Sequence, residues 1–275
     1  MKVLFVNPPF KAEYGKYSRE ARSAMITNSG VIYYPLWLLY AAGVTQEAGF
    51  EVDFLDAPAK QMNFEKSIKW IKAKNNDYGL IVIDTSTPSI YNDVKFGAKL
   101  KKLFPKAFVV LMGTHPTALP EETLKLNDNI DGIAKGEADY IIRDLAIALN
   151  KGDSLETVKG LVYRKDGEIK INEEMPLITD VDAIPWAAKL IKQFLDPKDY
   201  FFAAAAFQEM KKRKTILYNG TTYIPLRAVG ELMGKNVNWD GATGTASLGG
   251  TRTTGNVTGT PDTAAKRTDV TFTLR

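Results

Sequence analysis

Five short apolar runs recur along the first half of the chain, each closed by polar or turn residues: Lys2 to Val6, Glu51 to Leu55, Leu80 to Asp84, Ala107 to Met112 and Asp131 to Ala134. Their continuous Val, Ile, Leu and Phe predict strands buried on both faces, since a strand with one solvated face would alternate. Between these runs the apolar positions shift to helical spacing. Leu36 to Ala48 follows Pro35, a first-turn residue, and stops at Gly49. Phe64, Ile68 and Ile71 share a face of Asn63 to Lys74, as do Val94, Leu100 and Leu103 in Ile90 to Phe104. Shorter helices are predicted at Thr117 to Leu126 and Glu137 to Leu149. Strands alternating with helices predict an α/β fold, a five-stranded doubly wound parallel sheet over residues 1–150.

The pattern then changes. Gly160 to Ile171 reads as two alternating strands joined through Asp166-Gly167, a strong hairpin signal, packing as an edge or a flap. It belongs to a 151–207 extension whose Pro-punctuated part, Met175 to Asp199, holds a short helix near Trp186 to Leu195. A basic linker, 208–214, leads to a small α+β module at 215–248. That module is predicted to hold strands at Thr215 to Tyr218, Thr222 to Pro225 and around Asn236 to Trp239, with a helix at Leu226 to Met233. Residues 249–275 form a Thr/Gly-rich tail, either disordered or ending in a strand at Val270 to Leu274.

Composition narrows the chemistry. The 275 residues contain no Cys and one His, His115. Disulfides, Cys-ligated zinc, iron-sulfur clusters and thiol nucleophiles are thereby excluded together. The net charge is +4, and the excess lies in residues 208–275, which carry ten Lys/Arg against five Asp/Glu. No basic stripe interleaved with aromatics appears, so nucleic acid is not the expected partner. The run Lys211-Lys212-Arg213-Lys214 reads as a solvated linker in preference to an anion or membrane contact. No stretch reaches the ~18 apolar residues of a membrane helix. The N-terminal run is too short for a signal peptide, and a soluble, cytoplasmic protein is expected.

In an open parallel sheet, ligands bind beyond the carboxyl ends of the strands, near the switch in strand order. The loops to inspect are therefore Asn7-Pro8-Pro9-Phe10, Thr85-Ser86-Thr87-Pro88, Gly113-Thr114-His115-Pro116-Thr117 and Lys135-Gly136-Glu137-Ala138. They offer small residues, hydroxyls and backbone groups with few charges, which suits a large, amide-rich ligand better than a nucleotide phosphate. Asn7-Pro8-Pro9 cannot make a Rossmann phosphate turn, and no Walker-type sequence exists. Asp84 and Lys135 occupy positions used by phosphorylatable receiver domains, but the first loop lacks the carboxylates that would hold Mg²⁺.

Those loops, with the Tyr34-Pro35-Leu36 helix opening that runs into Ala48-Gly49-Phe50-Glu51-Val52 and with Gly113 to Pro120 and Gly136-Glu137-Ala138, resemble the cobalamin-binding domain that precedes the catalytic domain of radical S-adenosylmethionine enzymes. The likeness runs from Met1 to about Phe207 and takes in the hairpin and the Ile184-Pro185 passage. A Thr, Thr114, stands where that family has the second Gly of a pair. The resemblance implies a flavodoxin-like fold. It also implies a corrinoid over the sheet edge, its nucleotide tail between the Thr85 to Thr87 and Gly113 to Thr117 loops, with Asn7, Pro8, Pro9, Gly136 and Glu137 alongside. Small residues permit close backbone approach, and hydroxyls and amides can satisfy phosphate and ribose. A bulky residue at Gly113 is expected to abolish binding and leave the fold.

The Asp-x-His-x-x-Gly motif that gives other cobalamin domains an axial His has no counterpart in Asn7 to Gly15, so the corrinoid is expected to lack a protein His below cobalt. For His115 three readings stay open: a tail contact, a cap on its loop, or a ligand. Glu137 is either a first-turn carboxylate favoured by the helix dipole or a ligand contact. Asp84 reads as a structural acceptor for loop amides. Tyr33, Tyr34 and Trp37 are either core or cover for the ligand.

Enzymes of that family continue into a barrel carrying Cys-x-x-x-Cys-x-x-Cys, which would be expected soon after Phe207. The chain instead passes into Ile216 to Asp240, whose Tyr-Ile-Pro-Leu-Arg and Val-Asn-Trp-Asp resemble the stalk domain named after the N-terminal region of copper amine oxidases. That module lacks the His ligands and redox tyrosine of copper oxidation. Ile224, Leu226, Val229, Leu232 and Trp239 are its expected core, and Arg227 an internal ion-pair or capping residue. The expected function is cobalamin binding, as the cofactor module of a radical-type protein lacking its catalytic domain. Such a module binds metal only as the corrinoid's cobalt, holds no iron-sulfur cluster, and is not expected to catalyse alone. A separate catalytic protein is then the expected partner. The alternative is a truncated or recombined structural product with an empty pocket.

Overall fold

The computed structural model describes residues 1–19, 24–27, 30–74, 77–200, 216–218, 221–223, 235–240 and 245–251. The chain divides into two compact units, Met1–Phe202 and Ala203–Arg275.

In the first unit, β1 (Lys2–Asn7) leads to a short hairpin of β2 (Lys16–Ser18) and β3 (Met25–Thr27). Then come α1 (Leu36–Glu47), β4 (Glu51–Asp56), α2 (Phe64–Ala73), β5 (Tyr78–Thr85), α3 (Ile90–Leu103) and β6 (Phe108–Gly113). Two short helices, α4 (Thr114–Ala118) and α5 (Pro120–Lys125), precede β7 (Gly132–Ala134) and α6 (Ala138–Lys151). The unit closes with β8 (Leu161–Lys165), β9 (Glu168–Ile171) and α7 (Ala187–Phe194).

One sheet runs through it in the order β4-β1-β5-β6-β7-β8-β9. The first five strands are parallel, and β8 and β9 continue antiparallel from β7. The hairpin is thus the sheet's far edge. Alternate residues of each strand enter opposite cores, as both-face burial requires. Val3, Phe5, Leu80, Val82, Val110 and Met112 pack with α1 and α6, while Leu4, Val6, Ile81, Ile83, Val109 and Leu111 pack with α2 and α3. The chain leaves β1 for β4 on one side and returns to β5 on the other. The strand order therefore switches between β1 and β5, where this architecture opens its ligand crevice.

The single helix predicted at Thr117 to Leu126 is two, because Leu119 leaves the helical conformation (φ −132°, ψ 60°) and Pro120 starts a new turn. The β2–β3 hairpin was not foreseen, its strands being too short to show a period. Gly43 on α1 lets α7 close over the sheet, since a Cβ there would lie 2.7 Å from Leu190 Cδ2. In the second unit β10 (Ile216–Tyr218) pairs with β11 (Thr221–Tyr223), and β12 (Lys235–Asp240) with β13 (Thr245–Thr251). β13 crosses the expected boundary at 248. The helix at Leu226 to Met233, the strand at Val270 to Leu274 and the linker at 208–214 lie outside the described residues.

Candidate functional site

A cleft of about 950 Å³ opens at the carboxyl ends of β5, β6 and β7, within the size range of cofactor sites. Its walls come from three strand-end loops, from Arg19 after β2, from α1, and from the chain between β9 and the start of α7. Of the residues singled out in the sequence, Thr85, Ser86, Gly113, Thr114, Thr117, Gly136 and Glu137 line it, whereas Asn7, Pro8, Pro9, Thr87, His115 and Pro116 do not.

The wall at β6 and β7 is built from backbone and hydroxyls. Gly113 adopts φ +118°, and a Cβ there would meet the Thr85 carbonyl oxygen at 2.2 Å. This corrects the expectation for Gly113: a side chain at this position collides with the frame itself, so the fold is not spared. Thr85 Oγ1 donates to the Met112 carbonyl at 2.7 Å, and Thr117 Oγ1 donates to the Gly113 carbonyl at 2.8 Å. Thr117 Oγ1 also accepts from the Gly136 amide at 3.2 Å, which ties the two loops together. The protons of both hydroxyls are spent on the frame. Glu137 stands at the N-cap position of α6 without a side-chain capping bond, and its carboxylate instead accepts from the Ile178 amide at 3.0 Å, fastening the extension over the site. His115 Nδ1 lies 3.3 Å from Thr87 Oγ1, joining two loops outside the cleft.

The wall at the switch point is different. Arg19, just past β2, reaches back under the sheet edge with its side chain 2% exposed and pairs through Nη2 with Asp93 Oδ1 at 2.6 Å. Its Nη1 donates to Asn7 Oδ1 and, at 3.0 Å, to the Pro8 carbonyl. Asn7 Nδ2 donates to Asp56 Oδ1 at 3.0 Å, and Tyr200 Oη donates to Asp56 Oδ2 at 2.6 Å. Asp93 also accepts from Ser89 Oγ at 2.5 Å, and Ser89 is linked through Ser86 to Tyr17 Oη. The Asn7-Pro8-Pro9 loop therefore positions the arginine and lies behind the cleft.

Three buried carboxyls surround this one guanidinium, and burial raises the pKa of each. Arg19 offsets the effect at Asp93, while Tyr200 and the Ala59 amide offset it at Asp56. Asp84 is pushed up to about 7, first by burial and then by Asp93 and Asp56, against the Arg19 charge and the Thr85 amide. Asp84 Oδ2 and Arg19 Nε are buried with no hydrogen-bond partner. Both residues line the cleft. Across it, Asp139 Oδ1 is likewise unpartnered, and burial pushes that carboxyl up to about 6.

The third wall is apolar: Trp37, Leu177, Val181 and Trp186 line it, and Trp186 stays 78% exposed. Of the three aromatics read as core or cover, Trp37 stands at the cleft, Tyr34 packs against the core, and Tyr33 is exposed and does not line the cleft. Arg19 and Asp139 had no periodic or motif signal that could single them out. Among the described residues no helix is long and apolar enough to cross a membrane, and no cluster of His, Asp or Glu could hold a metal ion.

Comparison with known proteins agrees with this architecture. Residues 22–146 match the B12 binding domain family, and residues 206–265 match the copper amine oxidase N-terminal domain. An uncharacterized methyltransferase of Pyrococcus horikoshii, PH0819, is 31% identical over 185 residues, covering 67% of this chain and 37% of the relative. The anaerobic magnesium-protoporphyrin IX monomethyl ester cyclase of Cereibacter sphaeroides is 28% identical over 188 residues, 67% of this chain and 28% of the cyclase. The chain thus spans about a third of the length of these relatives. Among solved structures, the cobalamin-dependent S-adenosylmethionine radical enzyme OxsB, with aqua-cobalamin and S-adenosylmethionine bound, superposes with a TM-score of 0.52 at 16% identity. That superposition covers 64% of this chain and 23% of OxsB, and it shows a shared fold.

Proposed function

We propose that the first unit binds a corrinoid in the cleft at the ends of β5, β6 and β7, and that the chain acts as a cofactor-holding module. The observation that carries this reading is the coincidence of the cleft with the B12 binding domain match, which spans Asp84 to Asp139 and hence every strand-end loop that lines it. The cleft's chemistry fits such a ligand. An apolar wall suits the macrocycle, while backbone amides and the two unpartnered groups at the switch point suit its fringe of amides and its phosphate. Thr85, Ser86, Gly113, Thr114, Thr117, Gly136 and Glu137 are the residues that would hold it. When bound, the corrinoid supplies a cobalt centre; this chain's residues bind it, orient it and exclude water from one face.

The single His supports a mode with no protein imidazole under the cobalt, because His115 is joined to Thr87 and is not part of the cleft. These 275 residues contain no Cys, so none of them can ligate an iron-sulfur cluster. Purified full chain incubated with hydroxocobalamin is expected to co-elute with corrinoid absorbance on gel filtration. Reduction to the cobalt(II) state should then give an electron paramagnetic resonance spectrum without axial nitrogen splitting from protein. Absence of co-eluting corrinoid overturns the reading; a His-coordinated spectrum overturns the binding mode alone.

A further inference from the structure

The carboxyl of Asp84 poses a problem of charge and hydrogen bonding. It is the last residue but one of β5, at the switch point, 3% exposed, beside one guanidinium already paired with Asp93. Asp93 accepts from Ser89, Asn92 and Arg19, and Asp56 accepts from Asn7, Tyr200 and the Ala59 amide. Asp84 Oδ2 has no partner. Only the Thr85 amide and the Arg19 charge offset the burial of Asp84, against three donors at each of the other two, so of the three it is Asp84 that keeps a proton. A protonated carboxyl is a donor, and the buried Arg19 Nε–H is a second unused donor, on a residue that lines the same cleft.

Resting on the corrinoid reading, we propose that Asp84 is a ligand-binding residue whose carboxyl O–H, together with Arg19 Nε–H, donates to an acceptor oxygen of the corrinoid, so that binding is coupled to the protonation of Asp84. Ionisation would set a carboxylate against the ligand's lone pairs and weaken binding. With a pKa near 7 in the free protein, that change falls within the neutral range. The charged and titratable groups around Asp84 are Arg19 after β2, Asp56 on β4 and Asp93 on α3; Asp139 and Glu137 at the start of α6 lie on the same cleft, and His115 stands on the neighbouring α4.

The test is equilibrium binding of methylcobalamin in the dark, whose axial methyl does not titrate. The full chain and its variants are compared at about pH 6 and about pH 8.5. One linked proton weakens binding by at most about tenfold per pH unit; a loss of roughly tenfold or more across this interval is expected for the wild type. Asp84→Asn keeps a neutral donor in the same place, so it should bind at both pH values about as the wild type does at the lower one. Asp84→Ala should bind weakly at both. His115→Gln and Asp139→Asn should keep the pH dependence, whatever the second does to affinity. Repeating the series with methylcobinamide, which lacks the nucleotide phosphate, identifies the acceptor: a retained pH dependence assigns an amide carbonyl, a lost one the phosphate. Wild-type binding that is flat with pH overturns the proposal and leaves the corrinoid reading standing. So does a folded Asp84→Asn that binds no better than Asp84→Ala. No binding at any pH overturns both.

Discussion

The two sides of the cleft solve the problem of a polar ligand wall in opposite ways. At β6 and β7 the wall is built mainly from backbone and hydroxyls: Gly113 and Gly136 supply backbone that a side chain would block or strain, and Thr117 ties the two loops. At the switch point between β1 and β5 the wall is a buried charge network in which a single guanidinium serves Asp93, Asn7 and Pro8. The first kind of wall fails sterically and locally. The second fails electrostatically and as a unit, because removing one member leaves the others buried without partners.

Removing the cation is the severest break. Arg19→Met leaves Asp93 unpaired among buried neighbours, and a loss of about 3–5 kcal/mol of stability is expected by chemical denaturation at neutral pH. Because the remaining acids can take up protons, acidification toward about pH 5 should restore part of that loss. An unchanged midpoint would show that the network is not what holds this edge.

Asp84 sets the next effect, and its sign follows from linkage. Its folded pKa is raised above the unfolded one, so the stability tied to its proton is fully present below the unfolded pKa, near 4. That stability is lost as pH rises through about 7. Stability of the unliganded protein should therefore fall across that window with a slope of up to about 1.4 kcal/mol per pH unit from this group. Asp84→Asn should flatten the slope and be the more stable protein at about pH 8.

On the backbone-built side, Gly113→Ala meets both a positive φ and a backbone oxygen and should cost about 2–3 kcal/mol. Gly136→Ala meets the φ alone, with open space around it, and should cost about 1 kcal/mol. Equal losses would mean that the contact at Gly113 relaxes freely. Thr117→Val gives up one donated and one accepted hydrogen bond and is expected to cost the least, about 1 kcal/mol or less. Thermal melts of the three variants rank them.

What the sequence made legible follows the same division. Strands buried on both faces announce themselves as apolar runs, and helices beside them as a period, so the parallel strands and the hairpin Leu161 to Ile171 were readable to within a few residues. The loops at strand ends follow from the topology, and Thr85, Ser86, Gly113, Thr114, Thr117 and Gly136 in them do line the cleft, while Thr87 does not. Arg19 was not readable: it lies past a three-residue strand in a stretch without periodicity, and its partners Asn7 and Asp93 are 12 and 74 positions away. Asp84 could be placed at a strand end, yet its lack of a partner is a property of three-dimensional neighbours. Asn7, Pro8 and Pro9 were readable as a loop but not as the support of an arginine behind the cleft.

The most direct measurement locates the ligand. Amide hydrogen exchange of the full chain is followed with and without saturating hydroxocobalamin. Protection is expected at 85–87, 113–117, 136–139 and 177–188, the segments that wall the cleft, with exchange unchanged at 216–218 and 245–251. Exchange that stays the same throughout the first unit, or protection confined to the second, would contradict a corrinoid site at the ends of β5, β6 and β7.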